Sequence, residues 1–296
     1  MYFDNAEGRV FRPPSEAESF ILRVTVGCSH NKCTYCNMYR DVKFRVRSMD
    51  EITAQIQKAS VYAGYIRRVF LADGDALILP TDRLLEILGQ IKLTFPKLQR
   101  VSCYASPKSI LLKSQEDLVK LRLAGLQLIY YGLESGSDEV LTDVRKGVTA
   151  QESVDAGQKV VSAGIKLSLM VILGLAGLTG SKEHAQATAK AVNLIKPNML
   201  SALTLMLYRG SELLDKFEQG KFMPLNPEQI MLELHEMLEH IELPINNPCI
   251  FRSSHPSNYV MLAGTLPKDK KRLCQEVLAA SLKLHGVPYD VYNNVE

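Results

Sequence analysis

The chain has 296 residues, 46% of them hydrophobic and 23% charged, with a formal net charge of +3. That length suits one large domain with a small appendage, and the composition is that of a globular protein rather than a disordered or fibrous one. So small a charge does not by itself argue for a nucleic-acid partner.

Apolar runs short enough for strands alternate along the chain with helical patterns. Residues 20–26 read as a first strand, followed at once by Gly27-Cys28-Ser29-His30-Asn31-Lys32-Cys33-Thr34-Tyr35-Cys36. Ser48 with Glu51 makes a capping box for a helix to about Ala63, and 68–72 is a second strand. Thr81 reads as the cap of a helix ending near Pro96, before a third strand at 101–105. Ser114 with Asp117 opens a helix that Gly125 closes, and 126–132 is a fourth strand. Thr149 with Glu152 caps another helix, and 167–173 is a fifth strand. Ser181 reads as the start of a helix stopping before Pro197, and 200–207 as a sixth strand. Asn226-Pro227 places a cap and a first-turn proline on a helix to about Ile241. A polar segment at 251–259 and a helix starting at Leu266-Pro267 follow.

This alternation implies a parallel sheet with helices outside it. A full eightfold barrel needs about 250 residues, whereas six repeats fill 18–245. The expected fold is therefore α/β, a partial (β/α)6 TIM-like barrel. An N-terminal extension (1–17) precedes it and a C-terminal extension (246–296) follows on the substrate side. Residues 1–19 carry Asp4, Glu7, Glu16 and Glu18 and no apolar run, so neither a signal peptide nor a membrane anchor is expected.

Cys28, Cys33 and Cys36 crowd into one loop with no fourth cysteine beside them. An iron–sulfur cubane ordinarily takes four thiolates, so this loop leaves one iron open. Zinc with His30 as fourth ligand is the alternative, but that ring has to fold back among its own neighbours to reach the metal. Cys103, Cys249 and Cys274 stand singly without ligand spacing, Cys274 reading as a core residue. Unpaired thiols fit a reducing cytoplasm.

The cysteine loop resembles that of the radical S-adenosylmethionine (radical SAM) superfamily. After the fourth strand, Gly132-Leu133-Glu134-Ser135-Gly136-Ser137, followed by Arg145-Lys146-Gly147, closely resembles a second signature of that family. It is the form seen in Elongator catalytic subunits, methylthiotransferases and oxygen-independent coproporphyrinogen oxidases. Asp73-Gly74-Asp75 is similar to the Gly-Gly-Glu segment, Gly174-Leu175-Ala176-Gly177 to a Gly-Leu-Pro-Gly loop, and the Met206 to Ser211 stretch to a Pro-Gly-Thr segment. The resemblance spans about 18–215.

It implies that Cys28, Cys33 and Cys36 hold a 4Fe-4S cluster whose open iron is chelated by the methionine end of S-adenosyl-L-methionine. Tyr35 then packs on the adenine, and Asp73, Gly74 and Asp75 lie by the amino group. Glu134 faces the ribose hydroxyls, Lys146 the methionine carboxylate, and Met206 the adenine. The chemistry is apt, since a carboxylate accepts from two vicinal hydroxyls and an ammonium pairs with a carboxylate. A flavodoxin- or ferredoxin-like donor is implied to reduce the cluster. Cleavage of the cofactor gives methionine and a 5'-deoxyadenosyl radical, which takes hydrogen from a small substrate under anaerobic conditions.

For substrate contact the sequence offers Tyr104 at the end of the third strand and Arg252 and His255 in the polar segment, with Asn258 nearby. Oxygen-independent coproporphyrinogen oxidases carry a Glu at the place of Tyr104, which speaks against porphyrinogen oxidation. Arg40, Lys43, Arg45 and Arg47 trail the cysteine loop as a basic run suited to an anionic substrate group or an acidic electron carrier. A small, carboxylate-bearing metabolite is one fitting substrate class. An RNA- or peptide-modifying radical enzyme and a non-catalytic haem-chaperone-like binding protein are the alternatives. Intact cysteines with Glu134 and Lys146 argue against the last.

Overall fold

The computed structural model describes residues 8–289. Asp4, Glu7 and the rest of 1–7, with 290–296 of the C-terminal extension, lie outside the described residues. The first half runs β1 (Phe20–Arg23), β2 (Thr25–Val26), β3 (Arg45–Val46), α1 (Met49–Ala59), β4 (Arg68–Ala72), α2 (Thr81–Thr94), β5 (Arg100–Tyr104), α3 (Pro107–Leu111), α4 (Gln115–Ala124) and β6 (Leu126–Glu134). The second runs α5 (Asp138–Asp143), α6 (Ala150–Ser162), β7 (Lys166–Leu173), α7 (Gly177–Ile195), β8 (Met199–Thr204), α8 (Glu212–Glu218), α9 (Pro227–His240), β9 (Cys249–Arg252), β10 (Ala263–Leu266) and α10 (Lys270–Lys283). The strand order is β1-β4-β5-β6-β7-β8-β9-β10 in a mostly parallel sheet. This is the α/β topology expected of a partial TIM-like barrel.

The chain forms two compact units. The first comprises Met1–Asn31, Met38–Tyr131 and Lys159–Leu167, the second Lys32–Asn37, Gly132–Gln158 and Ser168–Glu296. In the first, β1, β4, β5 and β6 pair in parallel, with Phe20 opposite Val69 and Val69 opposite Val101. Every residue of β1 is buried, as befits a strand covered on both faces. The Ser48–Glu51 and Ser114–Asp117 capping boxes form as read, and Gly125 closes α4 at φ +119°. Thr81 does not cap α2. Extended Pro80 occupies that position and offers no side-chain acceptor, so the helix simply begins at Thr81.

In the second unit β7, β8 and β9 are parallel and β10 returns antiparallel. The C-terminal extension thus adds strands to the sheet beside β8. Asn226 and Gln229 box the start of α9, with Pro227 in its first turn. The helix read from Ser181 in fact begins at Gly177. That glycine turns the chain at φ +67°, where an added Cβ would come within 3.0 Å of the Met223 carbonyl. The next amide, Leu178, donates to that same carbonyl. Backbone from a distant segment therefore starts α7, and the Ser181 hydroxyl is used elsewhere.

Candidate active site

In the first unit, Gly27 leaves β2 at φ +79° and leads directly to Cys28. Its amide donates to Asp73 Oδ2 at 3.1 Å, and its carbonyl accepts from the Gly74 amide at 3.1 Å. The start of the cysteine loop is thereby fastened to the end of β4. Gly74 lets the two segments approach closely: a Cβ would lie 3.1 Å from the Cβ of Cys28 and 3.0 Å from the Tyr39 ring, tighter than ordinary contact.

Asp73 is wholly buried, and its carboxylate is taken by the equally buried Arg23, Nη2 to Oδ2 2.5 Å. Its amide donates to Thr25 Oγ1. Asp75 accepts from the hydroxyls of Ser29, Ser106 and Ser109 at 2.6–2.8 Å and from the Ser106 amide. The two acids after β4 thus spend their side chains on shaping the loop, and the Gly74 backbone between them is what lies against Cys28.

In the second unit, Cys33 and Cys36 close a tight turn, with the Cys36 amide donating to the Cys33 carbonyl. Thr34 clamps this turn from both sides: its amide donates to Val144 and its carbonyl accepts from Leu213. Tyr35 packs against the apolar cluster of Val140, Val144, Leu205 and Leu207. Burial pushes the Tyr35 hydroxyl well above its ordinary pKa, and the neighbouring Glu134, Cys33 and Cys36 add to the shift. Burial, then Cys36, does the same to Tyr208, whose hydroxyl donates to Met206 Sδ at 3.2 Å.

Glu134 ends β6 at φ +62° and pairs with Lys146 Nζ at 2.8 Å. Its carboxylate folds back over Gly132, where an added Cβ would sit 1.7 Å from Oε1. Next to it, Ser135 donates to His184 Nδ1 at 2.8 Å while His184 Nε2 donates to the Ile172 carbonyl at 3.0 Å. These partners place the ring proton on Nε2. Glu233 completes this buried network, accepting from the Gly174 amide and from Ser181. His184 and Glu233 escaped the sequence reading, and Gly132 was quoted there only as part of the signature.

Of the residues read as substrate contacts, Tyr104 packs edge-on against Phe70 and Tyr130, at 5.0 and 6.2 Å between ring centroids. Burial raises its pKa, so it stays a neutral phenol. In the second unit, Arg252 Nη1 donates to the Phe251 carbonyl. His255 is kept neutral by burial and accepts from the hydroxyl and amide of Ser257. Asn258 spends its amide on β8, accepting from the Thr204 hydroxyl and donating to the Ala202 carbonyl.

A mostly parallel α/β sheet, with a loop of three unbridged, half-buried cysteines after β2, defines a partial-barrel protein with a three-cysteine loop. The Radical SAM superfamily profile matches residues 22–189, and the chain belongs to that superfamily, whose enzymes use a 4Fe-4S cluster and S-adenosylmethionine. It is 24% identical over 252 residues to the 4'-phospho-dehydrooxetanocin synthase of Priestia megaterium, covering 77% of this chain and 33% of that one. It is also 24% identical over 242 residues to a putative methylthiotransferase of Methanocaldococcus jannaschii, covering 73% and 51%. The chain thus spans a third to a half of these relatives' length. The crystal structure of methylornithine synthase (PylB) shares the fold, with a TM-score of 0.52 and 14% identity over 92% of this chain and 82% of that one. Among the described residues no helix is long and apolar enough to cross a membrane.

Proposed function

We propose that this chain is a radical SAM enzyme in which Cys28, Cys33 and Cys36 ligate three irons of the cluster and a small molecule, of which a carboxylate-bearing metabolite is one class, is the substrate. The observation that carries this is the grouping of Tyr35 with Cys33, Cys36 and the Glu134–Lys146 pair. It sets an aromatic, an acid and a base beside two of the thiolates. When bound, the cluster and S-adenosylmethionine supply a 5'-deoxyadenosyl radical by reductive cleavage, and hydrogen abstraction follows.

The protein's own residues hold and orient the cofactor. Gly74 lets its backbone approach the methionine end, with Asp73 and Asp75 fixing that loop. Lys146 pairs with the methionine carboxylate, and Glu134 accepts from the ribose hydroxyls. Tyr35 and Met206 pack against the adenine. Tyr104, Arg252 and His255 face the substrate, whose site the extension 246–296 completes beside the barrel of 18–245. A flavodoxin- or ferredoxin-like protein delivers the electron under anaerobic conditions in the cytoplasm, and a small molecule rather than nucleic acid is the partner.

The test is anaerobic. The protein is reconstituted with iron and sulfide, given dithionite and S-adenosylmethionine, and 5'-deoxyadenosine is counted. Wild type is expected to form it and Cys28→Ala to lose it at least a hundredfold. A colourless, zinc-loaded protein sinks the reading. A cluster that forms without any cleavage, with haem co-purifying, replaces it with the binding-protein alternative.

A further inference from the structure

Outside the candidate active site, a second group of metal-binding side chains gathers in the second unit. His235 and Glu239 are four residues apart on α9 and so share one face of it. α10 sets Cys274 opposite them. One ligand atom from each of the three lies within 4.8 Å of the others, and His235 Nε2 stands 3.9 Å from Glu239 Oε1. The arrangement is graded in depth: Cys274 is 4% exposed, the His235 side chain 24% and the Glu239 side chain 50%. A cleft of about 460 Å³ opens over the three, with Lys268, Lys271 and Gln275 on its rim.

A cysteine that only fills core has hydrocarbon around it. Here the sulfur lies within 4.8 Å of a ligand atom of both His235 and Glu239, so it faces the polar pair. One imidazole, one thiolate and one carboxylate form the mixed N, S and O donor set that suits a borderline cation, and zinc sites with three protein ligands keep water in the fourth position. Glu239 stands in the last turn of α9, where backbone carbonyls favour positive charge. Lys270 already answers part of that field, donating to the Glu239 and Ile241 carbonyls.

We propose that His235, Glu239 and Cys274 bind a zinc-class divalent cation that ties α10 to α9, with water as fourth ligand. Ligand atoms of a loaded tetrahedral site lie about 3.3–3.8 Å apart. The site therefore closes by roughly 1 Å, within reach of rotations of the two more exposed side chains. Binding forms a metal–sulfur bond and releases the thiol proton to solvent, and no atom changes oxidation state. The cation has no part in the radical chemistry.

Two experiments test it. In the first, the full chain with Cys28, Cys33 and Cys36 replaced by Ala is titrated with Co2+. One equivalent is expected to bind with thiolate-to-cobalt charge-transfer absorption. Adding Cys274→Ser is expected to abolish that absorption, and His235→Ala to weaken binding at least tenfold. Cobalt bound without thiolate absorption, or absorption surviving Cys274→Ser, overturns the proposal. In the second, the cluster-loaded enzyme is equilibrated with Zn2+ and analysed for metal. One zinc per chain is expected in wild type and none in His235→Ala or Glu239→Gln, with 5'-deoxyadenosine formation equal in all three. Equal zinc in wild type and His235→Ala refutes the site whether or not the cluster chemistry stands.

Discussion

Gly132 has no side chain because the carboxylate of Glu134 lies where its Cβ would be. Gly132→Ala therefore leaves the strand intact and unseats the acid. With Glu134 on the ribose, S-adenosylmethionine affinity is expected to fall about tenfold, about 1.4 kcal/mol, with circular dichroism unchanged. Equilibrium dialysis against labelled cofactor reads this directly.

Glu51 makes a prediction of a different kind. Hydrogen bonds from Arg45, with those of the Ser48 cap, lower its pKa from 4.5 to about 2. A folded-state pKa below the unfolded one gives stability that is present above pH 4.5 and is lost as pH falls toward 2. Wild type minus Glu51→Gln stability should be level above pH 5 and shrink below it, and a level difference throughout refutes the assignment. The side chain is too exposed for the effect to be large.

At this scale the three cysteines, Glu134 and Lys146 are legible as candidates, because these are chemical types at recognisable spacings, and Glu134 and Lys146 do pair. The sequence hid why Gly132 is glycine, because that depends on the rotamer of Glu134. It also hid the use of Asp73 and Asp75, whose partners Arg23 and Ser109 are fifty and thirty-four residues away.

Helix starts divide into two kinds. Where the cap is a side chain three residues from its partner, as at Ser48, Ser114 and Asn226, the start was legible in the sequence. Where backbone sets it, as at Pro80 and at Gly177 against Met223, the wrong residue was read as the cap. Asn226→Ala should accordingly cost about 1 kcal/mol in thermal or urea unfolding, and Thr81→Ala appreciably less. Equal losses refute this distinction. Strands follow the same division. The six repeats announce themselves by local pattern, whereas β9 joins β8 across some fifty residues, in the register of Leu200 with Phe251, which no local pattern carries.

For the molecule as a whole, the extension beyond residue 245 is part of the second unit's framework. β9 covers the edge of β8, and α10 packs its Leu273, Cys274 and Val277 inward along α9. Removing 246–296 uncovers that β8 edge and the apolar face of α9. Each large side chain so exposed forfeits about 1.5–3 kcal/mol, so a few exceed the margin of a typical domain. The shortened chain is expected to lose its cooperative thermal transition. A sharp melt within about 5 °C of the full-length value refutes the claim.

The buried pair of Arg23 and Asp73 bears on how such a loop changes through descent. Removing one partner of a buried ion pair costs about 3–5 kcal/mol, so replacing Asp73 by glycine while keeping Arg23 is expected to be disfavoured in descent. The two positions are therefore expected to change together, one at the end of β1 and the other after β4. Within relatives that share this lineage, glycine at 73 should be accompanied by an uncharged residue at 23, which makes the pair a readable marker of ancestry.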